Sequence, residues 1–237
     1  RVSGLWSGGT DGTHVPARVY ERGVANRLRI GRRSGVLPRE VTPEILDSLS
    51  PDDVQAQRSR QDLRFINAIM GNTRWIMSSL SDLPPGTEIH ELGAGDGSLA
   101  GRLAERGFSP RGYDLGPRPA GLPESVFWQQ GDFLESETVM HGVVTGSLIL
   151  HHFEDESLCR IGQRIAGASL LSFVEPLRSR MALAEAYTLM PFVGKVTRHD
   201  MIASIHAGFL PGELPLALGL GDDWEVSETI TVLGGYR

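Results

Sequence analysis

Short apolar runs alternate with helical patterns through the second half of the chain. Each run is short enough to be a buried strand, and most are followed by apolar residues at helical spacing. The predicted strands cover residues 87–92, 111–114, 126–129, 142–150 and 170–174. Residues 224–233 then alternate as antiparallel strands do. The pattern predicts an α/β fold with a doubly wound, mostly parallel sheet of seven strands, antiparallel near its end.

The part of the chain before the first predicted strand has a different pattern. Residues 1–42 are rich in Gly and Arg with little periodicity, which predicts a basic arm. A helix start follows, with Ser50 as the predicted N-cap and Pro51 as the first helical residue. Helical spacing after this point predicts a helical cap over residues 43–84. Residues 85–237 are predicted to form the sheet domain.

Charge and cysteine content exclude several classes of function. Eight arginines and three acids lie in residues 1–40, which leaves 15 basic and 26 acidic residues elsewhere. An acidic body argues against a nucleic-acid partner. No apolar run is long enough for a membrane span, and we expect no secretory signal at the start. Cys159 is the single cysteine, which excludes an intrachain disulfide and predicts a cytoplasmic location.

A glycine-rich motif directly follows the first predicted strand. Its glycines are spaced G-x-G-x-G, and Ser98 stands where a dinucleotide fingerprint has its third glycine. Glu91, two residues before the first glycine, is positioned to accept hydrogen bonds from a cationic amine or a water. The backbone of such a loop, with the following helix N-terminus, lets a cofactor approach closely. The motif therefore predicts a cofactor site and disfavours a nicotinamide cofactor.

Polar residues also end the next predicted strands. Asp114 ends the second and is able to accept both hydroxyls of a ribose. After the third, Asp132 can accept from an adenine amino group and Phe133 can cover the ring. His151 and His152 follow the fourth. Because the carboxyl ends of parallel strands meet at one edge of a sheet, we expect a single site. Taken singly, each residue could instead be a turn acid or a core side chain.

Residues 87–175 resemble the class I S-adenosylmethionine (SAM) methyltransferases. The glycine loop resembles their motif I, Asp114 their ribose-binding acid, and residues 131–133 their adenine-binding turn. The resemblance implies a Rossmann-like sheet, SAM as cofactor, and contacts to it from Glu91, Gly93, Ala94, Gly95, Gly97, Asp114, Leu115, Gly131, Asp132, Phe133 and Leu150. Residues 62–74 are similar to the helical preface of bacterial small-molecule methyltransferases, of the polyketide or quinone type. In that preface, Arg74 either reaches the methionine carboxylate or faces solvent.

The reaction that this resemblance implies needs a nucleophile aligned with the sulfonium methyl group and a route for its proton. His151 lies beside the expected methyl position and is predicted to be a neutral general base. The alternative is that it only packs against the cofactor. His151 and His152 lack a third ligand at a recognisable spacing, and the fourth strand does not end in a carboxylate. No metal is therefore predicted.

These observations predict a metal-independent SAM-dependent methyltransferase of secondary metabolism. Its acceptor is expected to be small and largely apolar, and to receive the methyl group at a hydroxyl oxygen or at carbon. Two other functions stay open: a catalytically silent SAM-binding scaffold or partner protein, and a nucleotide-dependent oxidoreductase, which Glu91 and Ser98 disfavour. The sequence leaves monomer and homodimer undecided.

Overall fold

Six strands form one sheet in the part of the chain that the structure describes. The structure is a computed structural model and describes residues 37–50, 52–135 and 139–237, so most of the predicted basic arm lies outside it. The strands are β1 (Glu88–Leu92), β2 (Ser109–Asp114), β3 (Phe127–Gln130), β4 (His141–Ser147), β5 (Gly167–Pro176) and β6 (Gly235–Tyr236). Their order is β3-β2-β1-β4-β5-β6. Only β6 is antiparallel to its neighbour among these strands.

This topology confirms the predicted doubly wound sheet. The chain moves outward from β1 to β3, then returns to the other side of β1 with β4. The topological switch point therefore lies between the carboxyl ends of β1 and β4, which is where such sheets bind ligands. In the central register, Leu92 of β1 lies opposite Tyr113 of β2 and Gly146 of β4.

The prediction of seven strands is wrong, because residues 224–233 do not pair along their length. Within this stretch only Ile230 makes a β-bridge, to Tyr236, and the strand itself is the two-residue β6. Val226, Val232 and Leu233 are exposed, so the alternation does not bury one face. Alternating residues form a stable strand only when a partner and a core cover that face.

Helices cover both faces of the sheet. They are α1 (Ile45–Ser48), α2 (Val54–Met70), α3 (Asn72–Ser79), α4 (Ser98–Glu105), α5 (Asp155–Arg164), α6 (Arg180–Leu189), α7 (Lys195–Ala207) and α8 (Glu213–Ala217). Single 3-10 turns lie at Phe133–Glu135, Leu150–His152 and Met190–Phe192. None of these helices is long and apolar enough to cross a membrane. Helices α1 to α3 precede β1, as the predicted helical cap requires, although the predicted domain boundaries stay predictions.

Strand residues alternate between two hydrophobic cores. Ile89, Val143 and Val174 pack with residues of α3 and α4 on one face. Val144 and Phe173, their neighbours in sequence, pack with residues of α5 and α8 on the other. Because successive side chains of a strand point to opposite faces, near-continuous apolar runs supply both cores.

Helix α2 begins three residues later than predicted. Asp53 is the N-cap, and its Oδ1 accepts a hydrogen bond of 2.6 Å from the backbone N–H of Gln55. The predicted N-cap, Ser50, instead closes a turn, since its carbonyl accepts from the N–H of Asp53 at 3.0 Å. The helix ends at Gly71, whose φ of 67° is the left-handed conformation that glycine adopts most easily.

Strand β4 ends earlier than the predicted strand 142–150. Leu148 has a φ of 57°, which turns the chain out of the extended conformation. The N–H groups of Ile149, Leu150 and His151 then all donate to the carboxylate of Glu175, at 3.1, 2.8 and 3.2 Å. This local acceptor replaces the hydrogen bonds that a longer strand would have made, so the chain folds inward at this point.

Residues 37–49, called the N-terminal strap below, lie against the sheet domain through polar contacts. The N–H of Glu40 donates to the carbonyl of His206 at 3.1 Å. The N–H groups of Ile45 and Leu46 donate to the carboxylate of Asp200 at 2.8 and 3.0 Å. None of the residues of α1, within the strap, is buried. The strap is therefore attached by hydrogen bonds rather than by an apolar face.

Candidate functional site

The glycine loop between β1 and α4 is closed on its inner side and open at its centre. Gly93, Gly95 and Gly97 all have left-handed φ values, of 64°, 55° and 71°. A Cβ at Gly93 would lie 2.6 Å from Ile149, and one at Gly97 would lie 2.9 Å from Leu122. At Gly95 an added Cβ meets no described atom within 4 Å. The loop therefore packs on its support at both ends and leaves its centre accessible to a ligand.

Asp114, at the end of β2, is joined directly to this loop. Its Oδ2 accepts from the N–H of Gly95 at 2.7 Å, and its Oδ1 accepts from the N–H of Gly116 at 2.8 Å. A carboxylate has about four acceptor positions, so each oxygen keeps capacity for one ribose hydroxyl. The next residue, Leu115, is 74% exposed.

Glu91 is a buried carboxyl at the end of β1. Glu91 as a whole is 4% exposed, and the Oε2 of its carboxyl has no hydrogen-bond partner in the described part of the chain. Burial raises the pKa of this carboxyl well above its usual range, and the charges of Asp96 and Asp114 raise it further, against a hydrogen bond from the backbone of Ala100. A buried acceptor without a partner is costly. A cationic ligand group next to Glu91 would remove that cost.

The residues predicted around the adenine fall into two groups. The N–H of Gly131 donates to the carbonyl of Asp114 at 2.8 Å, which fixes the turn after β3 beside the end of β2. Asp132 is exposed, and its Oδ1 accepts from the N–H of Leu134 at 2.7 Å. Phe133 and Leu150 are buried, and Phe133 packs edge-on against Phe153 at 5.8 Å. Phe133 thus occupies the core, in line with the alternative that it is a core aromatic.

Helix α2 reaches the glycine loop through an arginine that the sequence analysis did not single out. The Nη1 of Arg64 lies 3.6 Å from the Oδ2 of Asp96, the acid within the loop. Arg74, the predicted ligand of the methionine carboxylate, is exposed on α3. Nothing in the spacing of Arg64 marks it, since its position depends on how α2 packs.

A second group of polar residues gathers after β4. Glu44, His151, His152 and Glu175 are called the carboxylate–histidine cluster below. The Nδ1 of His151 is 2.7 Å from the Oε2 of Glu175, and its Nε2 is 3.5 Å from the Oε1 of Glu44. The side chains of His151 and Glu175 are 3% and 0% exposed. The hydroxyl of Ser204 donates to Glu44 from α7.

The two histidines of the cluster differ in charge. Burial alone would lower the pKa of His151, but the hydrogen bond to Glu175 and the nearby Glu44 raise it to about 9. Burial lowers the pKa of His152, and the positive charge of His151 lowers it further. Glu44 would titrate higher if only burial acted on it, yet His151, His152 and Ser204 hold its pKa below the ordinary value. The raised pKa of His151 favours its protonated form, and its predicted role as a neutral base stays a prediction.

The sequence pattern could have revealed one acid of the cluster, Glu175, but not the other, Glu44. Glu175 ends β5 just as Glu91 ends β1 and Asp114 ends β2, so the rule of polar strand ends would have found it. Glu44 lies in the N-terminal strap, far from His151 in sequence, and its approach depends on how the strap docks. The fold thus brings a third group that could act as a metal ligand, Glu44, beside the two histidines.

Solved structures resemble this arrangement of elements. The plantazolicin methyltransferase BpumL in complex with SAH matches with a TM-score of 0.54 and 14% identity, over 78% of this chain and 78% of that chain. BpumL in complex with a triazolic desmethylPZN analog and SAH matches with a TM-score of 0.51 and 14% identity, over 75% and 84%. No protein-family model matches the sequence, and no curated protein does.

The chain has the fold of the SAM-dependent methyltransferases. The resemblance of residues 87–175 is therefore confirmed for the fold. Within this methyltransferase fold, the glycine loop and Asp114 lie at the carboxyl ends of β1 and β2. The carboxylate–histidine cluster lies after β4, on the other side of β1. Ile149 links the two regions, because it packs under Gly93 and precedes His151 by two residues.

Proposed function

We propose that this protein is a SAM-dependent methyltransferase that transfers the methyl group to a small, largely apolar acceptor, at a hydroxyl oxygen. The observation that carries the proposal is the open glycine loop between two strand-end acids, Glu91 and Asp114. Structures of BpumL, which share the fold, hold SAH, the molecule that SAM becomes when its methyl group leaves. This supports SAM as the cofactor.

The chain offers a separate contact for each part of SAM. The free acceptor positions of Asp114 suit the two ribose hydroxyls. Exposed Leu115 would cover one face of the adenine, and the second carboxylate oxygen of Asp132 would accept from its amino group. Glu91 would face the ammonium of the methionine part, and Arg64 its carboxylate. The glycine at 95 lets the ligand lie against the backbone.

Methyl transfer forms a bond between the acceptor oxygen and the methyl carbon as the bond from carbon to sulfur breaks. The hydroxyl proton would pass to water, and the sulfonium would become the neutral sulfur of SAH. Because the sulfonium is already a strong electrophile, the protein has to align the two molecules and exclude water. We expect the methyl group near the end of β4, and the polar groups of the carboxylate–histidine cluster after that strand support a hydroxyl acceptor over a carbon nucleophile.

Exposed aromatic residues support an apolar acceptor. Phe65 on α2 and Phe192 in the turn after α6 are both exposed, as is Tyr187 on α6. The Nη2 of Arg58 lies 3.4 Å from the carbonyl of Phe192, so this turn lies next to α2. BpumL was crystallised with a triazolic desmethylPZN analog together with SAH, which supports a small-molecule acceptor.

Calorimetric titration of the full chain with SAM, SAH and NADH tests the cofactor. We expect SAM and SAH to bind and NADH not to bind. Asp114→Ala should weaken SAM binding at least tenfold, because it removes both ribose acceptors. Asp82→Ala, an exposed acid before β1, is the control and should bind SAM normally. Binding of NADH without SAM would favour the oxidoreductase instead.

Activity is then measured as SAH release with a panel of phenols and other apolar alcohols. Release that depends on one of them, with the methyl group found on its oxygen, supports the proposal. A methyl group on carbon would keep the enzyme class and correct the acceptor atom. SAM binding without any SAH release would favour the silent SAM-binding scaffold.

A further inference from the structure

We propose that Glu44, His151 and His152 bind one divalent transition-metal ion of the zinc type. One ligand atom from each residue lies within 4.8 Å of the others. Imidazole nitrogen and carboxylate oxygen are the ligands of many catalytic zinc sites, which use three protein ligands and leave one position open. The sequence analysis predicted no metal because it found no third ligand, and Glu44 supplies one.

The Nε2 of His151 points to this site. It is a buried nitrogen with no hydrogen-bond partner among the described residues, on a side chain that is 3% exposed. Its distance of 3.5 Å from the Oε1 of Glu44 is too long for a good hydrogen bond. Two ligands at about 2.1 Å from a tetrahedral ion lie about 3.4 Å apart. An ion between the two atoms would therefore satisfy both.

Glu175 holds His151 in the orientation that a metal ligand needs. A ligating histidine commonly donates its other ring N–H to a carboxylate, which fixes the tautomer and turns the free nitrogen towards the metal. The Nδ1 of His151 makes this contact with Glu175 at 2.7 Å. Three backbone N–H groups hold Glu175 in turn, so its carboxylate is fixed in place.

His152 provides the third ligand and the route of entry. Its ring centroid is 4.3 Å from that of His151, and its side chain is 26% exposed. Its Nδ1 lies 3.6 Å from the Oδ2 of Asp47, so Asp47 can orient this ring as Glu175 orients that of His151. An ion can therefore enter from the exposed side of His152, and its fourth position would face that opening.

The charges around the site also suit a cation. Glu44 and Glu175 lie on opposite sides of the His151 ring, and Asp47 and Asp200 are close by. Arg39, the nearest arginine of the strap, donates to the carbonyl of Phe153 at 2.7 Å and pairs with Asp155. A divalent ion that displaced the proton of His151 from Nε2 would balance the charges of the two carboxylates that contact this imidazole.

Metal binding stands apart from methyl transfer, because it is measured without SAM. The full chain is treated with a chelator, given one equivalent of Zn²⁺ or Co²⁺, dialysed and assayed by mass spectrometry of the metal. We expect one retained ion per chain. With Co²⁺ we expect the strong visible absorption of a tetrahedral site. In methyl transfer the ion would bind the acceptor hydroxyl and lower its pKa. This role alone rests on the proposed function.

Variants locate the ion. Glu44→Gln, His151→Gln and His152→Gln should each lose it on dialysis, and Glu175→Gln should weaken its binding 10–100-fold. His141→Gln, an exposed histidine at the opposite end of β4, is the control and should retain it. Circular dichroism checks that each variant folds. His152, which is partly exposed, provides the test if the variants of buried residues do not fold.

Two outcomes would overturn the inference: no ion retained by the unaltered chain, or equal retention by all the ligand variants. A chain that binds SAM but no metal would refute the inference and leave the proposed function standing. A chain that binds metal but not SAM would do the reverse.

Discussion

The buried carboxyl of Glu91 lowers the stability of the ligand-free protein, and this suits a residue that pairs with a bound group. Its folded pKa is raised, so the folded chain keeps a proton that the unfolded chain has lost above about pH 4.5. Where the folded state binds more protons than the unfolded state, the free energy of unfolding falls as the pH rises. The penalty therefore grows above the ordinary pKa of a glutamate, up to the raised pKa of the folded state.

Glu91→Gln should separate stability from ligand binding. At pH 7.5 we expect urea denaturation to give a higher free energy of unfolding for the variant than for the unaltered chain. The difference should shrink towards pH 4, where both states of Glu91 are protonated. SAM binding should weaken at least tenfold, because the amide cannot pair with an ammonium group as a carboxylate does. Lower stability of the variant at both pH values would show that the carboxyl is already satisfied.

Gly95 and Gly93 form a matched pair for a second prediction. Alanine in the left-handed conformation costs about 1–2 kcal/mol at either position. Gly93→Ala also drives a methyl group to 2.6 Å from Ile149, so it should lose more stability in thermal denaturation. Gly95→Ala meets no described neighbour but enters the open loop, so it should mainly weaken SAM binding, tenfold or more. Normal SAM binding by Gly95→Ala would place the cofactor elsewhere.

The positions of candidate site residues could be predicted where their neighbours in the chain determine them. Glu91, the glycines and Asp114 are fixed by the strands that they end, so a strand pattern was enough to find them. Arg64 and Glu44 meet the site through packing of α2 and of the strap, which no local pattern encodes. Phe133 shows the opposite limit, since an aromatic after a strand suits a core as well as a ligand.

The start of α2 offers a test at the scale of one element. Asp53→Ala removes the carboxylate that caps the helix and should lower the free energy of unfolding by about 1 kcal/mol. Ser50→Ala, at the predicted N-cap, should change it by much less, because Ser50 is exposed and lies before the helix. Urea denaturation of both variants gives the comparison. An equal loss of unfolding free energy in the two variants would show that Ser50 stabilises the start of the helix as much as Asp53 does.

A strand or helix could be predicted from the sequence where its own residues determine it, and could not where residues distant in the chain do. Strands β4 and β5 follow from apolar runs that bury both faces of a parallel sheet. The early end of β4 follows from the Glu175 carboxylate, which belongs to a different strand. The residues that pair as β6 lie after the alternating stretch 224–233. Local alternation did not locate them, because pairing with β5 depends on contacts across the fold.

At the scale of the whole molecule, Arg178 joins three parts of the chain. It is 4% exposed, and its guanidinium donates to the carbonyls of Leu37 and Gly208 at 2.9 and 3.1 Å. It also pairs with Glu213 of α8 at 2.6 Å. One planar group with five donors thus connects the strap, the end of α7 and α8, which a lysine cannot do.

Arg178→Lys should therefore lower the free energy of unfolding by about 2 kcal/mol. Arg180→Lys, two residues further on and exposed, is the control and should have almost no effect. Urea denaturation measures both, and an unchanged dependence on urea concentration would show that the unfolded state is the same. Equal stability of the two variants would mean that the buried contacts of Arg178 contribute little.

The hydrogen-bonded attachment of the strap determines where a protease would first cleave the protein. A segment held by hydrogen bonds, with no buried apolar face in α1, can detach by local unfolding while the sheet stays folded. A protease would then reach the strap first. Cleavage near residue 49 would remove Glu44 and leave Glu91, the glycine loop and Asp114 in place. On the two proposals above, a nicked protein would keep its affinity for SAM and lose the proposed metal site, so the two sites are physically separable.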